Sequence, residues 1–217
     1  MRIFDIIGPI MIGPSSSHTA GACRMSRAAR QLLGEDVKEA KLELHGSFEI
    51  SDNKEVNPAL IAGLLGYNTD DKRIHNSLKN AEIKGISLTC INVDIEKAHI
   101  NTARFTLKGN TNEIKLTVSS IGGGMIEVTD IDEVPVKING NYYSMIIFCK
   151  DADETLKQVK KILSNIKSID CIKQAASIDG RTQLVLVKSK EVIPKDIYVN
   201  LCNLSNVIKI ANHDRFE

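Results

Sequence analysis

The sequence predicts an α+β fold in two parts, and three observations carry that prediction. A helical pattern over Ala20–Leu33 is followed by strands that turn back on one another, which makes a mixed or antiparallel sheet. The last stretch runs strand, helix, strand, strand, helix, strand, the order of a ferredoxin-like (βαββαβ) unit. Between them, Asp130 to Asn141 is polar and carries Pro135 and Gly140, the composition of a joining segment. Domains of residues 1–135 and 142–217 follow from that reading.

The elements follow in order. Ala20–Leu33 ends at Gly34, a natural helix stop. Ala40–Gly46 alternates as a half-buried strand does. Asn57 caps a short helix running to Gly66, with Pro58 in its first turn. Asp70–Lys84 reads as one further helix, capped by Thr69 or Asp70 and stopped by Gly85, with Ile74, Leu78, Ala81 and Ile83 on one buried face. Strands are predicted over 86–93, 102–107, 113–119 and 125–129, with turns at Asn110–Asn112 and Gly122–Gly124. In the second part, strands over 143–149, 168–178, 182–188 and 207–211 alternate with helices over 151–164 and 194–203, and Asp179-Gly180 forms a hairpin turn.

The chain has 217 residues, 42% hydrophobic and 25% charged, ordinary values for a globular protein with a substantial core. A formal net charge of +1 gives no electrostatic case for nucleic acid or an anionic membrane. No apolar run approaches the ~20 residues that span a bilayer. Met1–Asp5 lacks the apolar stretch of a signal peptide, so a cytoplasmic location is expected. The five cysteines, Cys23, Cys90, Cys149, Cys171 and Cys202, show no C-x-x-C spacing. That scatter argues against a disulfide framework and against a zinc or cluster site built by this chain alone.

The densest chemical signal is Gly13-Pro14-Ser15-Ser16-Ser17-His18-Thr19. Gly13-Pro14 breaks the chain, the serines offer hydroxyls and a helix cap, and the following helix presents unpaired N–H groups to an anion. His18 stands beside that end, where an imidazole moves protons near neutral pH. From chemistry alone, a serine-rich cap with an incidental histidine accounts for the segment equally well.

The same segment carries a resemblance. Phe4 to Gly21 is similar to the opening of the beta subunit of iron–sulfur-dependent L-serine dehydratases (L-serine ammonia-lyases). Later blocks agree in order: Leu44-His45-Gly46-Ser47-Phe48, Gly63-Leu64-Leu65-Gly66, His99-Ile100-Asn101-Thr102-Ala103 and Ser120-Ile121-Gly122-Gly123-Gly124. They cover roughly residues 1–130, and the remainder resembles an ACT domain. The resemblance implies a lyase subunit that converts L-serine, or a similar small hydroxy amino acid, to pyruvate and ammonia with an alpha subunit. It implies a [4Fe–4S] cluster held by that alpha subunit, with no metal ligand in this chain. His18 is then the catalytic candidate, and Ser15, Ser16, Ser17 and Thr19 bind substrate. ACT-mediated association between copies is a further implication.

The sequence departs from the family at identifiable places. Where the family carries Gly-His-Gly-Thr-Asp, this chain has Glu49 to Asn57 without a histidine, and Lys54, Glu55 or Asn57 falls nearest the lost position. Lys54 serves as a base only where burial or a nearby cation lowers its pKa, Glu55 is the alternative, and a solvated loop charge is the favoured reading of either. His99 and Asn101 belong to a block usually written His-Pro-Asn-Thr-Ala, with Ile100 in place of proline, and a structural role at a strand entry is the favoured reading of His99. His45 is read as packing or hydrogen bonding, and His75 and His213 as solvent-exposed. The first loop of the ACT-like part, Cys149 to Glu154, lacks the family's Asp-Arg-Pro-Gly type of turn, so effector binding is not expected there.

Other classes fit less well. Gly122–Gly124 suggests a pyridoxal-phosphate cup, but the alternating Met125–Thr129 after it supplies no helix end. Pro14–Ser17 is similar to the phosphate cradle of small-molecule kinases, but no metal-binding carboxylate motif accompanies it. The alternatives from another class are a regulatory or assembly subunit without chemistry, and a diverged paralogue acting on another small hydroxy acid.

Overall fold

The computed structural model describes residues 9–52 and 55–215. It divides into two compact units, Met1–Thr129 and Asp130–Glu217.

In the first unit the chain enters a π-helical turn, Ser16–Gly21, which runs directly into α1, Ala22–Leu33. Ala22, Cys23, Met25, Ala28, Ala29, Leu32 and Leu33 are buried, the one-face repeat of an amphipathic helix. Gly34 ends it at φ 80°, its N–H donating to the Arg30 carbonyl, a conformation that glycine adopts without a Cβ clash. Helix α2, Pro58–Leu64, is capped by Asn57, whose side chain accepts from the Ala59 N–H. The α1 and α2 backbones meet at Gly63, where an added Cβ would lie 2.2 Å from the Cys23 carbonyl oxygen.

The helix expected over 70–84 is two elements. Asp71, rather than Thr69 or Asp70, takes the cap: its carboxylate accepts from the Arg73 N–H and pairs with the Arg73 guanidinium. A 3-10 turn, Lys72–Asn76, then passes into α3, Ser77–Ile83. Ile74 and Ala81 are buried as expected, but Ile83 is 74% exposed. Three residues per turn in the first element shift the apolar stripe, so Ile83 rotates off the packed face.

A six-stranded mixed sheet has the order β2-β1-β3-β4-β5-β6. Its strands are β1 Glu39–Gly46, β2 Ser87–Asn92, β3 Asn101–Lys108, β4 Glu113–Gly122, β5 Met125–Ile131 and β6 Val134–Asn139. β1 pairs parallel with β2 and antiparallel with β3, which pairs antiparallel with β4. Ala40, Leu42 and Leu44 of β1 are buried in the predicted alternation, with Ala103, Phe105, Leu107, Leu116 and Val118 of the neighbouring strands. α1 packs against β3 and β4.

The stretch read as a joining segment is a hairpin instead. β5 continues to Ile131, Asp132 and Glu133 turn at φ 48° and 69°, and β6 follows. Positive φ at both central residues matches the twist of a two-residue hairpin. Pro135 is tolerated because β6 lies at the sheet edge, where one row of N–H groups has no strand to meet.

The loop after β3 is tied to the end of α1 by one carboxylate. Glu35 accepts from the backbone N–H groups of Asn110, Thr111 and Asn112, which hold its carboxyl below the usual range. A folded-state pKa below the unfolded value stabilises the fold above the unfolded pKa, and that contribution is lost as pH falls through the folded value. Glu35→Gln is therefore expected to flatten the drop in melting temperature below about pH 4.3, the unperturbed glutamate value.

After β6, the second unit has the order β7 Tyr143–Cys149, α4 Ala152–Leu163, β8 Ile169–Ala176, β9 Gln183–Ser189, α5 Lys195–Cys202 and β10 Val207–His213. The strands form an antiparallel sheet in the order β10-β7-β9-β8. Met145, Ile147, Cys149, Val185 and Val187 pack with Val159, Leu163 and Leu201 of the helices. Asp151 caps α4, its carboxylate accepting from the Glu154 N–H at 3.0 Å. Acidic Asp153 and Glu154 open that helix and basic Lys160 and Lys161 close it, complementing its dipole. β10 runs past the predicted Ala211 to His213, which pairs with Ser144 and is 1% exposed, so the expectation of a solvent-exposed His213 is corrected. His75 is exposed as expected.

Candidate functional site

The serine-rich segment folds as a cap that turns back on itself. Ser15 is extended at φ −121° and ψ 119°, and its hydroxyl accepts from the His18 N–H at 3.1 Å. The Thr19 N–H donates to the Ser15 carbonyl at 2.8 Å, closing the first turn. Gly13, at φ 138°, lies so close to Thr19 that an added Cβ would come within 2.5 Å of the threonine hydroxyl. Ser15 to Thr19 are all half-buried, and Gly13-Pro14 before them is exposed, so the turn is open to a ligand or another chain.

Three further segments converge on it. The imidazole of His18 has Nδ1 3.3 Å from the Ser15 hydroxyl and Nε2 3.0 Å from the Ser47 hydroxyl. Ser47 in turn donates to the Asn101 side-chain oxygen. The buried Phe48 ring lies 5.3 Å from the imidazole, tilted by 55°, and fixes its plane by packing. Asn57 serves both ends of the site: its oxygen caps α2, and its Nδ2 donates to the His18 carbonyl at 2.7 Å.

Local backbone needs explain why these segments meet. Gly46 adopts φ 61° and approaches the Ile100 carbonyl so closely that an added Cβ would lie 2.3 Å from its oxygen. The Ser47 N–H donates to that carbonyl at 2.9 Å, which docks the turn after β1 onto the loop before β3. On the other side, β4 contributes Ser120, whose hydroxyl donates to the Ser17 carbonyl at 3.1 Å and leaves space only for glycine at position 21.

Of the residues singled out in the sequence, Ser15, His18, Asn57 and Asn101 are joined by hydrogen bonds, and Ser16, Ser17 and Thr19 share the same turn. His99 is exposed: its Nδ1 accepts from the Asn101 N–H at 3.1 Å and its carbonyl from the Thr102 hydroxyl, so it shapes the entry to β3. Glu55 stands exposed in the loop before α2. Lys54 lies outside the described residues. His45 Nδ1 accepts from the Ile95 N–H at 3.2 Å. Ser47, Phe48 and Ser120 sit inside the quoted blocks, although the sequence alone assigns them no role. Their order along the chain, each beside a glycine turn, is the signal that marks them.

Among the described residues, no group of three or more His, Cys, Asp or Glu side chains is gathered to hold a metal ion. The cysteines lie on five different elements, and Cys23 donates to the Tyr67 carbonyl in the core. They do not form a ligand set for a cluster. Burial pushes the Cys23 thiol up to about 12 and the Cys90 thiol up to about 11. Alkylation of the native chain by iodoacetamide at neutral pH is expected at exposed Cys202 and not at Cys23, as read by peptide mass mapping.

The first unit is thus a mixed α+β unit whose serine-capped turn holds the His18 imidazole between the Ser15 and Ser47 hydroxyls. Residues 2–130 match the family model described as serine dehydratase beta chain, and the chain belongs to that family. It is 35% identical over 211 residues to the probable L-serine dehydratase beta chain of Bacillus subtilis (strain 168), covering 96% of both chains. It is 29% identical over 174 residues to the L-serine dehydratase beta chain of Peptoniphilus asaccharolyticus, covering 77% of this chain and 78% of that one. A 27-residue match at 67% identity to the beta chain from Anaerotignum propionicum covers 12% of this chain and 93% of that sequence. No helix among the described residues is long and apolar enough to cross a membrane.

Proposed function

We propose that this chain is the beta subunit of an iron–sulfur-dependent L-serine dehydratase that forms pyruvate and ammonia from L-serine together with a cluster-bearing alpha subunit. The observation that carries the reading is the half-buried Ser15–His18 turn with its imidazole held from both ring nitrogens, in a chain of the serine dehydratase beta family. The reaction removes the α-proton and expels the β-hydroxyl. The resulting enamine becomes an imine, which water hydrolyses to pyruvate and ammonia.

Among the described residues no ligand set for a cluster is gathered, and the [4Fe–4S] group is assigned to the partner, where it would supply a Lewis acid for the departing hydroxide. Within this chain, the Ser15, Ser16 and Ser17 hydroxyls and the N–H groups of the turn hold the substrate carboxylate. Such fixation of a small molecule supplies much of its rate by orientation. His18 holds or moves a proton at its ring nitrogen beside the bound acid, and Thr19 keeps the Gly13 turn in place. The family names favour serine as the substrate.

The strand order and antiparallel pairing of the second unit support an ACT-like role. Its edge strand β8, with exposed and half-buried residues in equal number, offers a pairing edge to a second copy of the chain.

Anaerobic co-expression with an alpha subunit tests the reading: serine-dependent pyruvate formation is expected, lost in His18→Ala. Lys54→Ala is run beside it, since loss there would move the base to that lysine. A regulatory or assembly role is favoured by one feature, the histidine-free Glu49–Asn57 segment. No turnover of any 3-hydroxy amino acid by an assembly with a loaded cluster would establish that second reading instead.

A further inference from the structure

We infer that Ser47 and Asn101 are positioning residues that lock His18 in its Nε2–H tautomer, so that Nδ1, facing Ser15, is the nitrogen that accepts a proton. The inference rests on the proposed role of His18 and adds which atom does the work and what fixes it.

The argument is a count of hydrogens. The Asn101 side-chain oxygen only accepts, so the Ser47 hydroxyl spends its single hydrogen there. The Ser47 oxygen then meets His18 Nε2 at 3.0 Å with lone pairs alone, and Nε2 must carry the hydrogen between them. A neutral imidazole protonated at Nε2 has its lone pair on Nδ1, 3.3 Å from the Ser15 hydroxyl. Ser15 fits that arrangement: its oxygen already accepts from the His18 N–H, and its single hydrogen can turn from Nδ1 to a bound carboxylate, which leaves the Nδ1 lone pair to take a proton. The hydrogens of Ser15, His18 Nε2 and Ser47 thus run in one consistent direction toward the Asn101 oxygen.

The positions are held independently of one another. The Ser47 N–H and Gly46 pin the turn to the Ile100 carbonyl, the Asn101 N–H donates to His99 Nδ1, and Phe48 packs on the imidazole. Ser47 meets the imidazole at Nε2, the nitrogen away from Ser15, Asn101 reaches it only through Ser47, and both act on any substrate through the ring. In metal–histidine sites, partners that orient a ring in this way are worth about 10- to 100-fold when removed.

The test reads the tautomer directly. Long-range 1H–15N correlation spectra of the isolated chain, labelled at its five histidines, identify His18 by its loss in His18→Ala. The expected spectrum shows His18 protonated at Nε2 and bare at Nδ1 in the wild type. Mixed tautomers are expected in Ser47→Ala and Asn101→Leu, and the single tautomer is expected back in Asn101→Asp, which keeps the acceptor. A wild-type His18 protonated mainly at Nδ1 overturns the inference, whether or not the variants fold, and so do folded variants with an unchanged tautomer. In the assembled enzyme, Ser47→Ala is expected to lower kcat about tenfold with KM unchanged. The spectra do not depend on turnover. An assembly that never dehydrates serine would defeat the proposed function and leave the tautomer standing. A wrong tautomer alongside loss of activity in His18→Ala would defeat the positioning and leave the function standing.

Discussion

His18→Ala is expected to lower serine-dependent pyruvate formation by the assembled dehydratase at least about 100-fold, the low end of what a positioned acid or base contributes. On the proposed function the imidazole takes the weakly acidic α-proton of serine, and the substitution removes that acceptor. The loss should appear in kcat and in kcat/KM alike, because the interaction is made in the transition state rather than with the bound substrate. The variant should remain folded. The imidazole is half-buried, Ser47 keeps its bond to Asn101, and Ser15 keeps its acceptor role toward the backbone N–H of residue 18. Steady-state assays of the wild-type and variant complexes, with matched melting temperatures for the beta chains, separate lost chemistry from lost structure.

Gly63→Ala is expected to be the most destabilising single methyl in the first unit. Its Cβ would sit 2.2 Å from the Cys23 carbonyl and from the Ser26 hydroxyl, and 2.7 Å from the Arg27 nitrogen. Two of those atoms are helix backbone, so no side-chain rotation relieves the clash and α1 and α2 must part. Overpacking of this kind costs about 1–3 kcal/mol, and the rigid backbone places this site at the upper end. For a chain of this size, about 3 kcal/mol corresponds to a melting temperature lowered by roughly 6–12 °C. Urea unfolding should show a lower midpoint with an unchanged slope. Activity should fall as well, since α1 continues from the Ser16–Gly21 turn and any shift of the helix carries the serine cap with it.

Much of this fold can be read from residue pattern. The Ala40, Leu42, Leu44 alternation marks β1, Asn57-Pro58 marks the start of α2, and Gly34 marks the end of α1. Strand β6 is hidden because an edge strand needs only one partner and so tolerates Pro135, while its turn uses Asp132-Glu133 where glycine or asparagine is usual. The break within 70–84 is hidden because a 3-10 turn and an α-helix share the same apolar spacing over short runs.

The site divides along similar lines. His18 and its serines are contiguous and therefore visible in sequence, although the chemistry alone left a plain helix cap as an equal reading. Ser47 becomes meaningful only once the fold brings it 29 positions back to His18 and 54 positions forward to Asn101. Asn57 was visible as a cap, but its second bond, to the His18 carbonyl, belongs to tertiary structure.

Amide hydrogen exchange across Ser15–Thr19 is the most direct test that this turn grips substrate at a site another chain completes. It is followed in the beta chain alone, with the alpha subunit, and with the alpha subunit and L-serine. Exchange should slow on assembly and slow further with serine, as opening of a capped turn is suppressed by what binds it. Identical exchange at these residues in all three states, from a complex shown to have formed, would contradict the account.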